Sequence, residues 1–242
     1  KVEDKGFTAV PYFDMESYKF KTTALVKLKN IDLSAVIYYD IAGDGLTGNT
    51  FSKYTKPFTL AKSDTVYTYA VKNGVKSPTV HRVFYKVPAD RSIKVFSVVH
   101  PMYTAGGPDA LIDGIMGNEN WKTGEWQSYY NQDFKAVIDL HSVRPVNYVG
   151  VHVLQDVSPW IMYPSELIVE TSNDGKTYQF LTVIKNDIGT DIKGPVHRVM
   201  GEYINAKTRF LRFIALSGGN LPAWHESAGS PSHVFIDEVI VK

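Results

Sequence analysis

Aromatic side chains in the predicted loops are the residues best suited to bind a ligand. An aromatic ring presents a flat apolar face that can stack on the C–H face of a sugar ring, and a polar group beside it can bond a hydroxyl. Five residues with this chemistry fall in segments without a strand pattern: Tyr129, Tyr130, Trp160, Trp224 and His225. We predict that they bind carbohydrate, although Trp160 and Trp224 could instead pack beneath their own loops.

The other two tryptophans, Trp121 and Trp126, adjoin an acidic loop and precede a predicted strand. We therefore expect them to pack in the core or under that loop. Most histidines are also expected to be structural, because their spacing is not typical of metal ligands. They are His100, His141, His152, His197 and His233.

Acidic residues offer a second kind of chemistry. Asp109 and Asp113 lie in a loop whose carboxylates and backbone carbonyls would suit calcium. A glycosidase needs two carboxylates about 5 to 10 Å apart, but Asp237 and Glu238 are neighbours on a predicted strand, so we expect them on opposite faces. The chain has no Gly-x-Ser-x-Gly, phosphate-binding glycine loop, His-Glu-x-x-His or cysteine. Catalysis by this chain alone is therefore not indicated.

The elements that must position these residues are short strands. Segments rich in β-branched and aromatic residues are separated by turn pairs such as Asn73-Gly74 and Asp174-Gly175, and no helical stripe of a dozen residues occurs. An all-β chain of sandwiches is predicted. The predicted strands are Ala35 to Tyr39, Val66 to Val71, Val80 to Val87, Ala136 to Leu140, Asn147 to Val153, Glu166 to Thr171, Tyr178 to Ile184, Phe210 to Leu216 and Val234 to Val241.

Length and charge indicate two domains. The 242 residues, 44% of them hydrophobic, exceed one typical small domain. Residues 1–90 hold 13 basic and 9 acidic residues (+4), whereas residues 91–242 hold 13 and 16 (−3), with all four tryptophans. The near-zero total charge argues against nucleic acid as a partner, and no apolar run is long enough for a membrane span. Because Lys1 to Gly6 carry no signal-peptide core, we expect a fragment or a mature segment.

Residues 1–90 resemble the small C-terminal β-domain of chitobiases and β-hexosaminidases. The resemblance rests on Val36-Ile37-Tyr38-Tyr39-Asp40, on Tyr54-Thr55-Lys56-Pro57-Phe58-Thr59-Leu60 and on Thr65-Val66-Tyr67-Thr68-Tyr69-Ala70. The family hairpin is expanded here to Asp40-Ile41-Ala42-Gly43-Asp44-Gly45. The resemblance implies a small immunoglobulin- or fibronectin-like β-sandwich with a structural, non-catalytic role.

Residues 91–242 resemble the discoidin domain, also called the coagulation-factor type C domain. Six segments agree in order, among them Ala110-Leu111-Ile112-Asp113-Gly114, Lys135-Ala136-Val137-Ile138-Asp139-Leu140 and Phe235-Ile236-Asp237-Glu238. The resemblance implies an eight-strand jelly-roll β-sandwich with binding loops at one end, and its sugar-binding members include family 32 carbohydrate-binding modules. The family often has glycine where this chain has His141. More narrowly, Pro222-Ala223-Trp224-His225 and Trp160-Ile161 resemble discoidin domains attached to bacterial family 20 β-N-acetylhexosaminidases.

The discoidin resemblance also implies a structural calcium ion. Carried over, Asp113 and Glu238 would supply carboxylates and Ala110 a carbonyl oxygen, with Asn118 or Asn120 completing the shell. The loop is one residue longer than usual, and the family's threonine ligand has no counterpart. The alternative is that Asp113 caps a turn and Glu238 faces water.

Together these features predict a non-catalytic, exported accessory region of a glycoside hydrolase, expected to be a β-N-acetylhexosaminidase. Its partners would be a terminal sugar of a glycan, of GlcNAc or galactose type, and an upstream catalytic domain of the same polypeptide. Three alternatives stay open: a purely structural sandwich, an adhesion module for a protein or membrane surface, and an appendage of an α-L-fucosidase. A membrane surface is disfavoured because the loops carry few lysines.

Overall fold

The computed structural model describes residues 6–41, 50–192 and 194–242. Residues 42–45 of the expanded turn predicted at 40–45 lie outside these ranges, and so do residues 1–5 of the segment Lys1 to Gly6. The chain divides into two compact units, Lys1–Val87 and Pro88–Lys242. The sequence expectation placed this boundary after residue 90.

The first unit is built from short strands. Its main sheet has the order β2-β10-β8-β5-β6, with β9 paired to β8, and two small sheets pair β1 with β4 and β3 with β7. The strands are β1 Tyr12–Phe13, β2 Lys19–Phe20, β3 Ala24–Val26, β4 Leu28–Lys29, β5 Val36–Ile41, β6 Ser52–Lys53, β7 Phe58–Leu60, β8 Asp64–Lys72, β9 Val75–Lys76 and β10 Val80–Lys86.

Strand β8 shows how the sequence pattern builds this core. Val66, Thr68 and Ala70 are fully buried, and the residues between them are partly exposed, which is the two-residue period of a strand with one buried face. The predicted Asn73-Gly74 turn follows it, with both residues at positive φ. The turn returns the chain into β9.

The second unit contains seven strands and a short 3-10 helix among the described residues. Its strand order is β12-β17-β13-β16-β14-β15, with β11 also paired to β13. The elements are β11 Ser92–Val95, the 3-10 helix Pro108–Ile112, β12 Gln127–Tyr130, β13 Phe134–Gln155, β14 Glu166–Ser172, β15 Gln179–Lys185, β16 Val196–Leu216 and β17 His233–Val241.

The two long strands β13 and β16 belong to both layers of the jelly roll. The first part of β13 pairs with β11, and its last part pairs with β17, while β16 runs beside both parts. Register shifts between Asp139 and Arg144 mark the corner. His141 lies in that corner at φ 61°, the left-handed conformation that glycine adopts at low cost, and its backbone N–H donates to Asp139 Oδ1 at 2.8 Å.

The all-β class predicted from the sequence is confirmed. The segments predicted at Ala136 to Leu140 and Asn147 to Val153 are parts of one strand, β13, and β16 begins fourteen residues before the predicted Phe210. In the part of the chain that the structure describes, no helix has the length and apolarity needed to cross a membrane.

Candidate functional site

A connected row of aromatic rings lies on the second unit, and we call it the aromatic strip. Its neighbouring ring centroids are 5.5, 5.6, 5.5 and 4.6 Å apart. The members, in spatial order, are Trp121, Tyr103, His100, His233 and Tyr130. Each side chain is at least partly exposed, so the strip can be reached by a ligand.

Strand pairing positions one half of the strip. Tyr130 of β12 and His233 of β17 are cross-strand partners, so their rings share one face of the sheet. Ser128 Oγ lies 2.7 Å from His233 Nδ1 and orients that ring. Phe235 is buried two residues further along β17, on the same face, and its ring lies 5.2 Å from the ring of Tyr103. The strip therefore rests on the core.

The loop after β11 carries two more members of the strip, His100 and Tyr103. Its backbone is bonded along β12: His100 N–H donates to the Ser128 carbonyl at 2.8 Å, and Ser128 N–H donates to the Tyr103 carbonyl at 3.1 Å. The buried Gln127 side chain donates from Nε2 to the Gly107 carbonyl at 2.7 Å. These bonds hold the loop in place without a ligand.

A pocket opens beside Tyr103 and Trp121. Its volume is about 480 Å³, which is within the range of small-molecule sites. The loop contributes Ala105 and Gly106 to the pocket lining, both at positive φ. The complete lining is Met102, Tyr103, Thr104, Ala105, Gly106, Trp121, Lys122, Gly124 and Trp126.

Two titratable groups at the strip have pKa values shifted by burial. Burial, helped by the nearby His100, lowers the pKa of His233 to about 4. Burial raises the pKa of Asp156, against the opposing effects of a hydrogen bond from Trp121 and the charge of Lys122. Lys122 Nζ lies 4.9 Å from the centre of the Trp121 ring. The hydrogen bond to Asp156 therefore holds the edge of the Trp121 ring, and the ammonium group of Lys122 lies over the face of that ring.

Three of the residues predicted to bind sugar have accessible side chains. Trp224 is 43% exposed and Tyr130 is 38% exposed, while Trp160 is half-buried. Trp160 adopts φ 70°, and its carbonyl accepts the His233 N–H at 2.8 Å. The Trp160 loop is therefore tied to the aromatic strip through the backbone of His233.

Two predicted sugar ligands are part of the framework instead. Tyr129 was predicted in a loop but lies in β12, where alternation exposes Tyr130 and buries Tyr129 completely. Burial raises the pKa of Tyr129 well above its usual value, and its hydroxyl donates to Gln127 Oε1 at 2.7 Å. His225 is only 7% exposed, and its Nδ1 accepts the Ser227 N–H at 3.0 Å. Neither ring can present a face to a ligand.

The sequence pattern did not identify Tyr103, His100 or His233 as site residues, and it assigned Trp121 to packing. Tyr103 and Trp121 are brought together by loop geometry that no local period encodes. The pairing of Tyr130 with His233 would follow from the sequence once β12 was identified as a strand. Trp126 is buried as expected: its Nε1 donates to the Asn118 carbonyl at 3.1 Å.

Two carboxylates meet at the predicted metal loop. The 3-10 helix ends at Asp113, whose Oδ1 accepts the Ile115 N–H at 2.9 Å, and Glu238 Oε2 accepts the Gly114 N–H at 3.1 Å. Both acids are 7% exposed. Burial and then the charge of Asp113 raise the pKa of Glu238 to about 8. Two buried acids so placed fit a bound divalent cation, which would favour both as carboxylates.

Of the other predicted metal ligands, Ala110 is buried and Asn118 is exposed. Ala110 is buried in the helix that contacts β17, and its N–H donates to the Gly107 carbonyl at 3.1 Å. Asn118 is exposed, and its Oδ1 instead closes a local turn by accepting the Asn120 N–H at 2.8 Å. In the described ranges, no group of three or more histidine or acidic side chains could hold a metal. Any cation here would need backbone carbonyls.

The expectation that Asp237 and Glu238 point to opposite faces is wrong. The register between β13 and β17 shifts here, so that Glu238 and Ile236 have partners and Asp237 has none. Such a bulge breaks the alternation of side chains. Both carboxylates consequently bond the same loop, Asp237 through the Gly117 N–H and Glu238 through the Gly114 N–H.

The comparisons with known proteins identify the second unit. Residues 92–233 match the model of the F5/8 type C domain. No curated protein matches the chain. Among solved structures, CBM32-3 of a family 31 glycoside hydrolase from Clostridium perfringens is 13% identical, with a TM-score of 0.41 over 63% of this chain and 90% of that one.

Two further structures are similar to the same extent. The family 32 module of C. perfringens NanJ, solved with galactose, is 11% identical, with a TM-score of 0.40 over 63% of this chain and 93% of that one. Chitosan-binding module 1 of a Paenibacillus sp. IK-5 chitosanase/glucanase is 13% identical, with a TM-score of 0.37 over 63% and 95%. Because the family model spans more than half of the sequence, the chain belongs to the F5/8 type C, or discoidin, domain family.

Proposed function

We propose that residues 88–242 form a carbohydrate-binding module whose ligand, a terminal sugar, lies in the pocket beside Tyr103 and Trp121. The observation that carries this proposal is the pocket itself: two aromatic walls, a fixed backbone loop and a volume of about 480 Å³. The discoidin fold supports it because the loops at one end of the sandwich are free to vary without disturbing the core.

The chemistry of the walls favours a sugar over a charged ligand. The Tyr103 and Trp121 rings cross at 77°, so a pyranose could stack on one ring and meet the edge of the other. The hydrogen bond from Trp121 to Asp156 fixes the edge of the ring, which reduces the entropy lost on binding. A single sugar in such a pocket would bind with millimolar affinity, about −4 kcal/mol.

The wider surface suits a longer glycan. His100, His233 and Tyr130 continue the strip away from the pocket, and the exposed Trp224 ring lies 5.8 Å from the ring of His225, which approaches the Ser158 carbonyl. Trp160 and Trp224 therefore remain candidates for sugar units beyond the terminal one.

We also propose that Asp113 and Glu238, with the Ala110 carbonyl, hold a structural calcium ion. The support is the pair of buried acids described above, whose mutual repulsion a cation would relieve. The ion would hold the loop between the 3-10 helix and Trp121 in place. Because Trp121 lines the pocket, the ion would also fix the position of that pocket wall. Asn118 could take part only through a change of its local turn.

We further propose that the chain is an exported accessory region of a glycoside hydrolase, with a β-N-acetylhexosaminidase as the parent enzyme. The resemblance of residues 1–90 to the chitobiase C-terminal domain and the narrower features of residues 91–242 support this parentage. An α-L-fucosidase parent and a purely structural or adhesive role are the alternatives. A sugar of GlcNAc or galactose type is the expected ligand.

Isothermal titration tests the proposed site. Methyl β-D-galactopyranoside and methyl N-acetyl-β-D-glucosaminide are titrated into the full chain and into Tyr103→Ala, which should weaken binding about tenfold or more. Tyr103→Phe, which keeps the ring, and Tyr203→Ala, which removes an exposed ring from β16, should leave the affinity unchanged. Binding that survives Tyr103→Ala with a folded protein would contradict the proposed site, and no binding of either sugar would contradict the sugar class.

A further inference from the structure

The first unit contains a groove that the sequence analysis did not anticipate. It has a volume of about 490 Å³ and lies between β1 and the start of β10. Its lining combines aromatic, hydroxyl and basic side chains: Pro11, Tyr12, Phe13, Tyr18, Thr79, Val80, His81 and Arg82. This composition differs from that of a structural crevice between apolar side chains.

The floor of the groove is rigid. Phe13 and Tyr18 pack on the fully buried Phe84, with ring centroids 5.8 and 5.6 Å away, and on each other at 6.3 Å. Tyr12 precedes Phe13 in β1, lines the same groove and is 49% exposed. Its ring is available at the rim as a flat surface.

Arg82 supplies an oriented positive charge. The carbon of its guanidinium lies 5.4 Å from the centre of the Tyr18 ring, a cation–π contact that holds the side chain over the floor. Its neighbour His81 stacks on Tyr67, its cross-strand partner, at 5.3 Å, so the two basic side chains leave opposite faces of the sheet. Over residues 6–41, 50–192 and 194–242, no carboxylate forms an ion pair with Arg82.

Among the described strands, the first part of β10 is paired on one side only, and its other edge lies at the groove. β8 covers one side of β10 from Val80 to Phe84, whereas β2 pairs on the other side only with Tyr85 and Lys86. Backbone groups near Val80 can therefore bond hydroxyls of a ligand. The net charge of +4 in residues 1–90 favours an anionic ligand, and Asp14, which directly follows β1, is paired with Lys29 at 2.7 Å.

We propose that this groove is a second ligand site that binds an acidic sugar of the uronic acid class. The guanidinium of Arg82 would take the carboxylate with two parallel N–H donors, and the C–H face of the ring would stack on Tyr12. Tyr18 is a positioning residue, since it acts by orienting Arg82. The planar guanidinium of Arg82 can donate two N–H bonds to one carboxylate, and the exposed ring of Tyr12 can stack on the sugar. These two groups fit a pyranose that carries a carboxylate better than a neutral sugar.

Titration of the full chain with methyl β-D-glucuronide, and with methyl β-D-glucoside as the neutral match, tests this proposal. The glucuronide should bind, and Arg82→Gln and Tyr12→Ala should each weaken it about tenfold. Lys53→Gln, which removes an exposed cation from β6 outside the groove, should have no effect. Arg82→Lys should restore only part of the affinity, because an ammonium lacks the two-donor geometry.

One variant in the second unit separates the two proposed sites, and three results would overturn the proposal for the groove. Tyr103→Ala, in the second unit, should leave glucuronide binding intact. The groove and the pocket beside Tyr103 are therefore tested independently of each other. No glucuronide binding, or binding unchanged in Arg82→Gln, would refute the proposal. Binding of hexaglutamate that depends on Arg82 and exceeds that of the glucuronide would also refute it, in favour of an acidic peptide.

Discussion

His152 Nδ1 lies 2.6 Å from Asp237 Oδ1, and both side chains are almost completely buried, with 2% and 0% exposure. The second oxygen of Asp237 accepts the Gly117 N–H, and the Trp126 ring stacks on His152 with centroids 5.1 Å apart. This pair therefore fastens the loop that carries the proposed calcium ligands and Trp121 to strands β13 and β17.

Removal of one member of this pair should strongly destabilise the second unit. Asp237→Ala leaves the buried Nδ1 of His152 and the Gly117 N–H without a partner, so we expect a loss of about 3–5 kcal/mol in the free energy of unfolding. Asp187→Ala, which removes an exposed acid paired with Arg198, should cost less than about 1 kcal/mol. Urea unfolding measures both, and equal losses would show that the buried pair has no special role.

Gly117 should not tolerate a side chain. A Cβ there would lie 2.4 Å from Trp126 Nε1 and 3.1 Å from Asp237 Oδ2, both in rigid buried groups. We expect Gly117→Ala to destabilise the protein by about 1–3 kcal/mol. Gly194 has open space at the same position, so Gly194→Ala is the matched control and should be neutral. A neutral Gly117→Ala in thermal unfolding would mean that this loop packs differently.

The Glu238 carboxyl should make stability depend on pH and calcium together. Its folded pKa of about 8 exceeds the usual 4.5, so between these values the unfolded chain binds fewer protons and stability falls as pH rises. In chelator the slope should approach about −1.4 kcal/mol per pH unit at most.

Calcium should abolish that slope, because it stabilises the ionised acids, and Glu238→Gln should remove both effects. Denaturation curves from pH 5 to 8, with chelator and with calcium, measure this. A melting temperature that is the same under both conditions in the wild-type chain would count against the proposed metal site.

His233 should stay neutral in the folded protein until strongly acidic pH. Its pKa is lowered to about 4 from 6.5, so the unfolded chain binds the proton first and stability is lost as pH falls from about 6.5 towards 4. An NMR titration of the imidazole carbons of His233 should give a midpoint near 4. A midpoint near 6.5 would show that the aromatic strip is open to water.

The strands with apolar alternation could be predicted from the sequence, and the polar ones could not. β8 and β17 carry β-branched runs that identify them. The first half of β16 pairs with β13, whereas β14 pairs only with its second half, and Met200 is the one buried residue from Val196 to Lys207, so this part shows no apolar alternation. β12 was missed because Gln127 and Ser128 are buried polar residues whose hydrogen bonds are tertiary.

The site shows the same division. Residue type alone singled out Trp224, Trp160 and Tyr130, whose side chains are accessible, and their role in sugar binding stays a prediction. The contact between Tyr103 and Trp121 depends on two loops fixed by distant bonds to β12, so only the fold reveals it. The bulge at Asp237 is likewise set by the register of β13 with β17, which no single strand encodes.

The most direct test of the central claim is an amide-and-indole NMR spectrum of the full chain during titration with a monosaccharide. The four tryptophans give four indole N–H signals, and Trp126 is buried. With methyl β-D-galactopyranoside or methyl N-acetyl-β-D-glucosaminide, we predict that the Trp121 signal shifts and saturates, and that it moves further than the signal of Trp126, which lines the same pocket but is only 1% exposed. An unmoved Trp121 signal, at sugar concentrations that saturate any other change, would contradict the account.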